Sequence, residues 1–250
     1  MREMTVLFEE ETGRLRLDRP SFDALVAIAA GIEPPAEGAE RVRDAGIVRG
    51  TIIHPGIAPG IVAAESAVAH ASLAMHDDSG TVIGAEIWIG TESAAYLMTT
   101  SSDLLELITT GPAFFPVSVA RIVGLGPRPR PALTPWRMPV ELVEQLVATD
   151  AAERTRAAET VAASIDDPTT REFLDQVVEG PFWYWALQVE WAPATGHDPG
   201  RSLHIIDTQK GLAILSLSED RIAVDPITPT AVWQLLTMIL PRDDELAFSR

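Results

Sequence analysis

The chain of 250 residues carries 19 basic and 36 acidic side chains, a net charge of −17, with no cysteine and 46% hydrophobic residues. Without cysteine there is no disulfide framework, thiolate nucleophile, iron–sulfur cluster or cysteine-ligated zinc, and the single lysine, Lys210, is the one ammonium available for a Schiff base or a phosphate cradle. So acidic a chain repels the phosphate backbone, whose binding rests on Lys/Arg neutralisation, which sets aside nucleic acid and anionic membrane surfaces.

Met1-Arg2-Glu3-Met4 runs into Glu9-Glu10-Glu11 and not into an apolar stretch, so it does not read as a secretory signal. An opening strand at about 3–8, continuing at 14–17, precedes a helix over 20–30 in which Phe22, Leu25, Val26 and Ala29 form a stripe at helical spacing and Gly31 ends it. Short helices follow over 36–45, stopped by Gly46, and from Pro55 to about Ser66. The period then changes. Val68–His76, Thr81–Ile89 and Ala94–Thr100 are short runs rich in apolar and β-branched residues, with Asp77-Asp78-Ser79-Gly80 as the first turn, and they predict an antiparallel meander. A fourth strand, 104–109, leads through Pro112 to a helix from Pro116 to Gly124.

Residues 127–139 are the most proline-dense stretch. Each X-Pro step disfavours helix before it, so the segment reads as an extended connector at the midpoint of the chain. Beyond it, 139–148 places Val140, Val143, Leu146 and Val147 on one face. Asp150 with Glu153 matches a capping box for a helix to about Ile165, and Asp167-Pro168 offers an N-cap and a first-turn proline for a helix to about Val178. Strands are predicted at 182–191, 202–208, 212–218 and 221–225, with turns at Gln209-Lys210-Gly211 and Ser218-Glu219-Asp220. A last helix begins at Pro229 and stops before Pro241. The uncharged run 226–241, 16 residues with three prolines, is too short and too interrupted to span a bilayer. Both halves thus read helices, meander, proline-started helix. The charge divides evenly, −9 over 1–125 and −8 over 126–250. The expected fold is α+β, with two quasi-symmetric halves (1–126 and 140–250) joined by the connector 127–139 in one compact body at this length.

Candidate chemistry is sparse. His70 and His76 lie on one side of a predicted strand, but six residues at about 3.3 Å each separate them by roughly 20 Å, too far to share a metal. His76-Asp77-Asp78 and His197-Asp198 sit in turn-like sequence, His54-Pro55 marks the start of a helix, and His204 and Asp207 project to opposite faces of a strand. No G-x-S-x-G, H-E-x-x-H, G-x-x-x-x-G-K-[ST] or G-x-G-x-x-G occurs, and neighbouring acids such as Asp243-Asp244 are expected by chance among 36 carboxylates. No catalytic residue, metal ligand or cofactor is assigned.

The most informative segment is 181–191. At period two, Trp183, Trp185, Leu187, Val189 and Trp191 make one apolar face for a core, while Phe182, Tyr184, Ala186, Gln188 and Glu190 make a second that begins apolar and ends polar. The second face suits a strand whose back is partly covered or serves as a binding surface. Phe182, Tyr184 and Gln188 are candidate partner contacts, with Trp136 of the connector beside them, for a protein partner or a second copy of the chain.

Several local strings resemble the EspG family, the cytosolic chaperones of mycobacterial type VII (ESX) secretion and their relatives in other actinobacteria. They are Phe22-Asp23-Ala24-Leu25, Ala45-Gly46-Ile47-Val48 followed by His54-Pro55, Leu125-Gly126-Pro127-Arg128-Pro129, Gly211-Leu212, and Pro226-Ile227-Thr228-Pro229 through Trp233-Gln234-Leu235-Leu236 to Leu240-Pro241. The resemblance implies an α+β fold of two quasi-symmetric halves around a central sheet and a cytoplasmic, non-enzymatic adaptor. Its client would be a helical secreted protein, PE–PPE-like or WXG100-like, met through the sheet around 182–191 and the helices of the C-terminal half. The alternative reading is an acidic immunity-type or regulatory protein that neutralises a basic partner, which would show a steep loss of association rate with salt.

Overall fold

The computed structural model describes residues 6–99, 104–130, 133–148, 150–165, 167–194, 196, 198–218 and 221–247. His197 and the Glu219-Asp220 turn lie outside the described residues. In chain order, a hairpin of β1 (Leu7–Glu9) and β2 (Arg14–Leu17) leads to α1 (Arg19–Ala29) and α2 (Ala36–Asp44). A two-stranded hairpin, β3 (Val48–Arg49) and β4 (Ile52–Ile53), and α3 (Ala58–Glu65) follow. The first meander is β5 (Ala69–Asp77), β6 (Val82–Ile89), β7 (Ala94–Thr99) and β8 (Leu105–Thr110), closed by α4 (Phe115–Ile122). The second half has β9 (Trp136–Pro139), α5 (Val140–Leu146), α6 (Ala151–Ala162) and α7 (Pro168–Glu179). Then come β10 (Phe182–Trp191), β11 (Gly200–Thr208), β12 (Gly211–Ser218), β13 (Arg221–Ile227) and α8 (Pro229–Met238).

Helix starts follow from side chains that satisfy the unpaired N–H groups of a first turn. Asp18 accepts the Ser21 N–H at 2.8 Å, Asp150 the Ala152 N–H at 2.7 Å, and Asp167 the N–H groups of both Thr169 and Thr170. The reciprocal bond expected from Glu153 is absent among the described residues, so Asp150 caps alone. The helix expected from Pro55 begins instead at Ala58, because His54 Nδ1 accepts the Gly56 N–H at 3.2 Å and holds 54–56 in a turn.

Eleven strands form one antiparallel sheet in the order β1-β2-β8-β7-β6-β5-β10-β11-β12-β13-β9. The strands of the first half lie on one side of the β5–β10 seam and those of the second half on the other. At that seam Leu73 pairs with Leu187, and the ladder runs from Trp183↔Asp77 to Trp191↔Ala69. The connector is not extended coil to its end. Its last four residues form β9, which pairs with β13 through Trp136↔Val224 and caps one edge of the sheet.

Alternation along the strands sends side chains to two faces. On the first, Ala71, Leu73, Trp185, Leu187 and Val189 meet Phe115 and Val119 of α4 and Val232 and Leu236 of α8 in the central core. Among the described residues, the helices that cover the second face lie at its flanks. Leu97 and Leu107 pack under α1 and α3 with Phe22, Leu25 and Ile61, while Phe182, Ile206 and Leu215 pack under α5 to α7 with Leu146, Val161 and Phe173. Each such aliphatic or phenyl side chain, once fully buried, contributes about 1.5–3 kcal/mol, which makes three contiguous clusters the dominant stabilising term.

Two ion pairs tie irregular segments to this frame. Arg128 in the connector grips Asp207 of β11 through Nε at 2.7 Å and Nη2 at 3.1 Å, and Asp207 is only 3% exposed. Arg201 of β11 pairs with the buried Glu245 and donates to the carbonyls of Met238 (3.1 Å) and Leu240 (2.7 Å), which closes the C-terminus of α8.

Candidate functional site: the uncovered centre of the sheet

Between the two flanking helix groups, no helix among the described residues lies over the middle of the second face. Ser72 and Ala74 on β5, Gln188 and Glu190 on β10, and Ser202 on β11 are exposed there; His70, Ala186 and His204 are half-buried. Cross-strand registry sets these side chains in rows. One row runs Glu86–Ser72–Gln188–Ser202, the next Gly84–Ala74–Ala186–His204. Serines, alanines and a glycine make a low floor, and strand pairing already satisfies its backbone, so a partner can approach it closely without stranding polar groups.

Two shallow clefts border the floor. One of about 590 Å³ is lined by Gln188, Glu190, Asp198 and Ser202 among others. The second, of about 310 Å³, lies by Phe22, Val26, Ile32 and Trp88, with Trp88 stacked near Phe22 at 5.1 Å between ring centroids. Ile32 is 63% exposed, and Val82 and Leu217 stand out at 66% and 71% at the ends of strands.

At the end of the floor under α6, aromatic rings and imidazoles meet. Tyr184 Oη and His204 Nδ1 are 2.8 Å apart, and the His76 ring lies 5.2 Å from Tyr184 and 6.4 Å from Phe182. Burial lowers the pKa of both His76 and His204 and raises that of Tyr184, so all three are neutral near pH 7. Asp77, the carboxylate that acts on His76, is engaged by Ser79 and Thr81 of its own turn, and the described residues contain no group of three or more His, Asp or Glu that could hold a metal ion.

The four side chains singled out in the sequence take different positions. Gln188 is exposed on the floor and donates to Glu190 at 2.6 Å. Tyr184 is half-buried at its edge. Phe182 is 1% exposed beneath α7, and Trp136 is 7% exposed, its ring 6.2 Å from Phe173, so both are covered by the chain's own helices. Sequence reasoning passed over Glu190, Asp198 and Trp88. The signal for Glu190 was present in the polar end of the second face of 181–191. That for Trp88 and Asp198 was not, because only the tertiary fold brings α1, β6 and the 198–202 region to one surface.

No protein-family model matches the sequence, and no curated protein matches it either. The fold does have a solved counterpart. It is similar to a chain in the structure of the Mycobacterium tuberculosis type VII secretion system chaperone EspG5 in complex with a PE25-PPE41 dimer. That likeness covers 94% of this chain and 100% of the other, with a TM-score of 0.61 and 12% sequence identity. The α+β class expected from the EspG resemblance is the class found, with helices on an antiparallel sheet of eleven strands.

Proposed function

We propose that the chain is a non-enzymatic cytoplasmic chaperone that binds a helical substrate of type VII secretion, PE–PPE-like or WXG100-like, and keeps it soluble. The observation that carries this reading is the uncovered band of the sheet between two helix groups. A fold shared with EspG5, seen in complex with a PE25-PPE41 dimer, supports it. Physically, such a chaperone covers an apolar client surface that would otherwise associate with itself.

The dimensions suit helices. Strands lie about 4.8 Å apart, so β6 to β11 spans about 14 Å and β7 to β12 about 24 Å. A helix rises about 1.5 Å per residue, so about nine residues of a helix laid across the strands cross the narrower band and about sixteen the wider one. Gln188 and Tyr184 contact the client in this reading, while Phe182 and Trp136 hold the supporting strands and α7 in place from within. The two halves, 1–126 and 140–250, are the quasi-symmetric walls of the groove, and the order of strands about the β5–β10 seam supports that relation.

The test is reconstitution. The chain is mixed with each purified helical protein encoded beside it, and the mixture is run by size exclusion with light scattering. A stoichiometric complex that prevents the client from aggregating supports the reading; failure with every such protein sinks it.

A further inference from the structure

We infer that the client segment crossing the open band is a helix with an apolar and a basic side chain two turns apart, the apolar one seated beside Trp88 and the basic one on Glu190. This rests on the chaperone reading and adds the chemistry of the contact. Trp88 pairs across the ladder with His70, and His70 with Glu190, so the three form one row on the second face, with Trp88 at the flank against Phe22 of α1 and Glu190 in the open. Two strand spacings put Trp88 and Glu190 about 10 Å apart. Seven residues of α-helix rise about 10.5 Å and return to the same face, so positions i and i+7 of a helix lying across the strands match the two ends of the row.

The ends differ in character. Beside Trp88 the groove is walled by Phe22, Val26 and the 63%-exposed Ile32, and Arg19, which also lines it, is committed to Asp23 at 2.9 Å and Glu86 at 2.6 Å. That end takes an apolar side chain. At the other end Glu190 and Asp198 line the same cleft, and neither makes an ion pair among the described residues; Glu190 accepts only the Gln188 amide. Arg201, which also lines that cleft, is held by Glu245 and the end of α8. Among the described residues these carboxylates have no counter-charge, and a lysine or arginine from a partner supplies it. One such contact fixes the register of the client and does not amount to a general attraction for basic proteins.

The probes are two stapled helical peptides that carry a phenylalanine and, seven residues on, either arginine or glutamate. Binding is read by fluorescence anisotropy against the whole chain. The arginine peptide is expected to bind at least ten-fold more tightly than the glutamate peptide. Glu190→Lys should abolish or reverse that preference and Asp198→Asn should reduce it, while Ile32→Glu, at an exposed position, should weaken both peptides. Thermal melts of each variant establish that it folds. Equal or undetectable binding of both peptides overturns the inference, as does a preference that survives Glu190→Lys. If the peptides discriminate but no client forms a complex, the contact stands and the chaperone reading falls. If a client binds the Glu190→Lys and Ile32→Glu variants as tightly as the original chain, the chaperone reading stands and the contact falls.

Discussion

Arg128→Ala should destabilise the fold far more than an ordinary surface substitution. The reason is the company it leaves behind, an Asp207 carboxylate 3% exposed in the middle of the sheet. Removing one member of a sequestered ion pair costs about 3–5 kcal/mol. Arg128 keeps 28% of its side-chain exposure, so water replaces part of its service, and protonation gives Asp207 a second escape; the expected loss is about 2–3 kcal/mol. For a chain of this size that corresponds to a fall in Tm of about 5–10 °C. The loss should depend on pH in a defined sense. Burial pushes the Asp207 carboxyl above its ordinary 3.8, and Arg128 draws it partly back. A carboxyl whose folded-state pKa is raised keeps its proton longer in the folded chain, so stability declines as pH rises from the unfolded value to the folded one. Without Arg128 that decline continues to higher pH. The deficit of the variant is therefore small near pH 4 and grows to its full size by about pH 7. Urea denaturation at several pH values measures it. A deficit under about 0.5 kcal/mol at pH 7, or one that does not change with pH, refutes the account of this pair.

Trp185→Ala, at a side chain 1% exposed in the central core, should cost about 3–5 kcal/mol by urea denaturation. Gly38→Ala should cost about 1–3 kcal/mol, because its new Cβ would fall 2.0 Å from the Pro20 carbonyl oxygen and α1 and α2 would have to part. The backbone N–H of Arg242, assisted by the Arg201 guanidinium, holds the Glu245 carboxyl near a pKa of about 2, below its ordinary 4.5; its contribution is complete above the higher value and fades as pH falls toward the lower. Arg201→Ala should reduce that acid-range dependence and lower Tm, as read by circular dichroism between pH 2 and pH 5. Gln188→Ala should leave stability within about 0.5 kcal/mol of the original while weakening client binding, measured by calorimetry.

Much of the fold was legible because it is written in short-range chemistry. The meander strands β5 to β8 and β10 to β13 follow period-two alternation and turn residues, and α7 begins where Asp167-Pro168 says it should. What was not legible depends on distant partners. Trp136-Arg137-Met138-Pro139 looks like connector by its prolines, and becomes β9 only because β13 offers an unpaired edge. The two-residue strands β3 and β4 are too short to leave a periodic trace. For the candidate site the same limit applies. The alternation of 181–191 separates its two faces correctly, but whether Phe182 or Gln188 meets solvent is decided by where α7 ends over the sheet.

Hydrogen exchange on this chain alone and in complex with a reconstituted client tests the central claim most directly. The expected result is a one-to-one complex in which the backbone amides of the segments flanking the open band, above all 86–90 and 188–202, gain protection while those of α4 and α8 do not change. A complex whose protection falls on α4 and α8 instead, with the centre of the sheet unaltered, would contradict it.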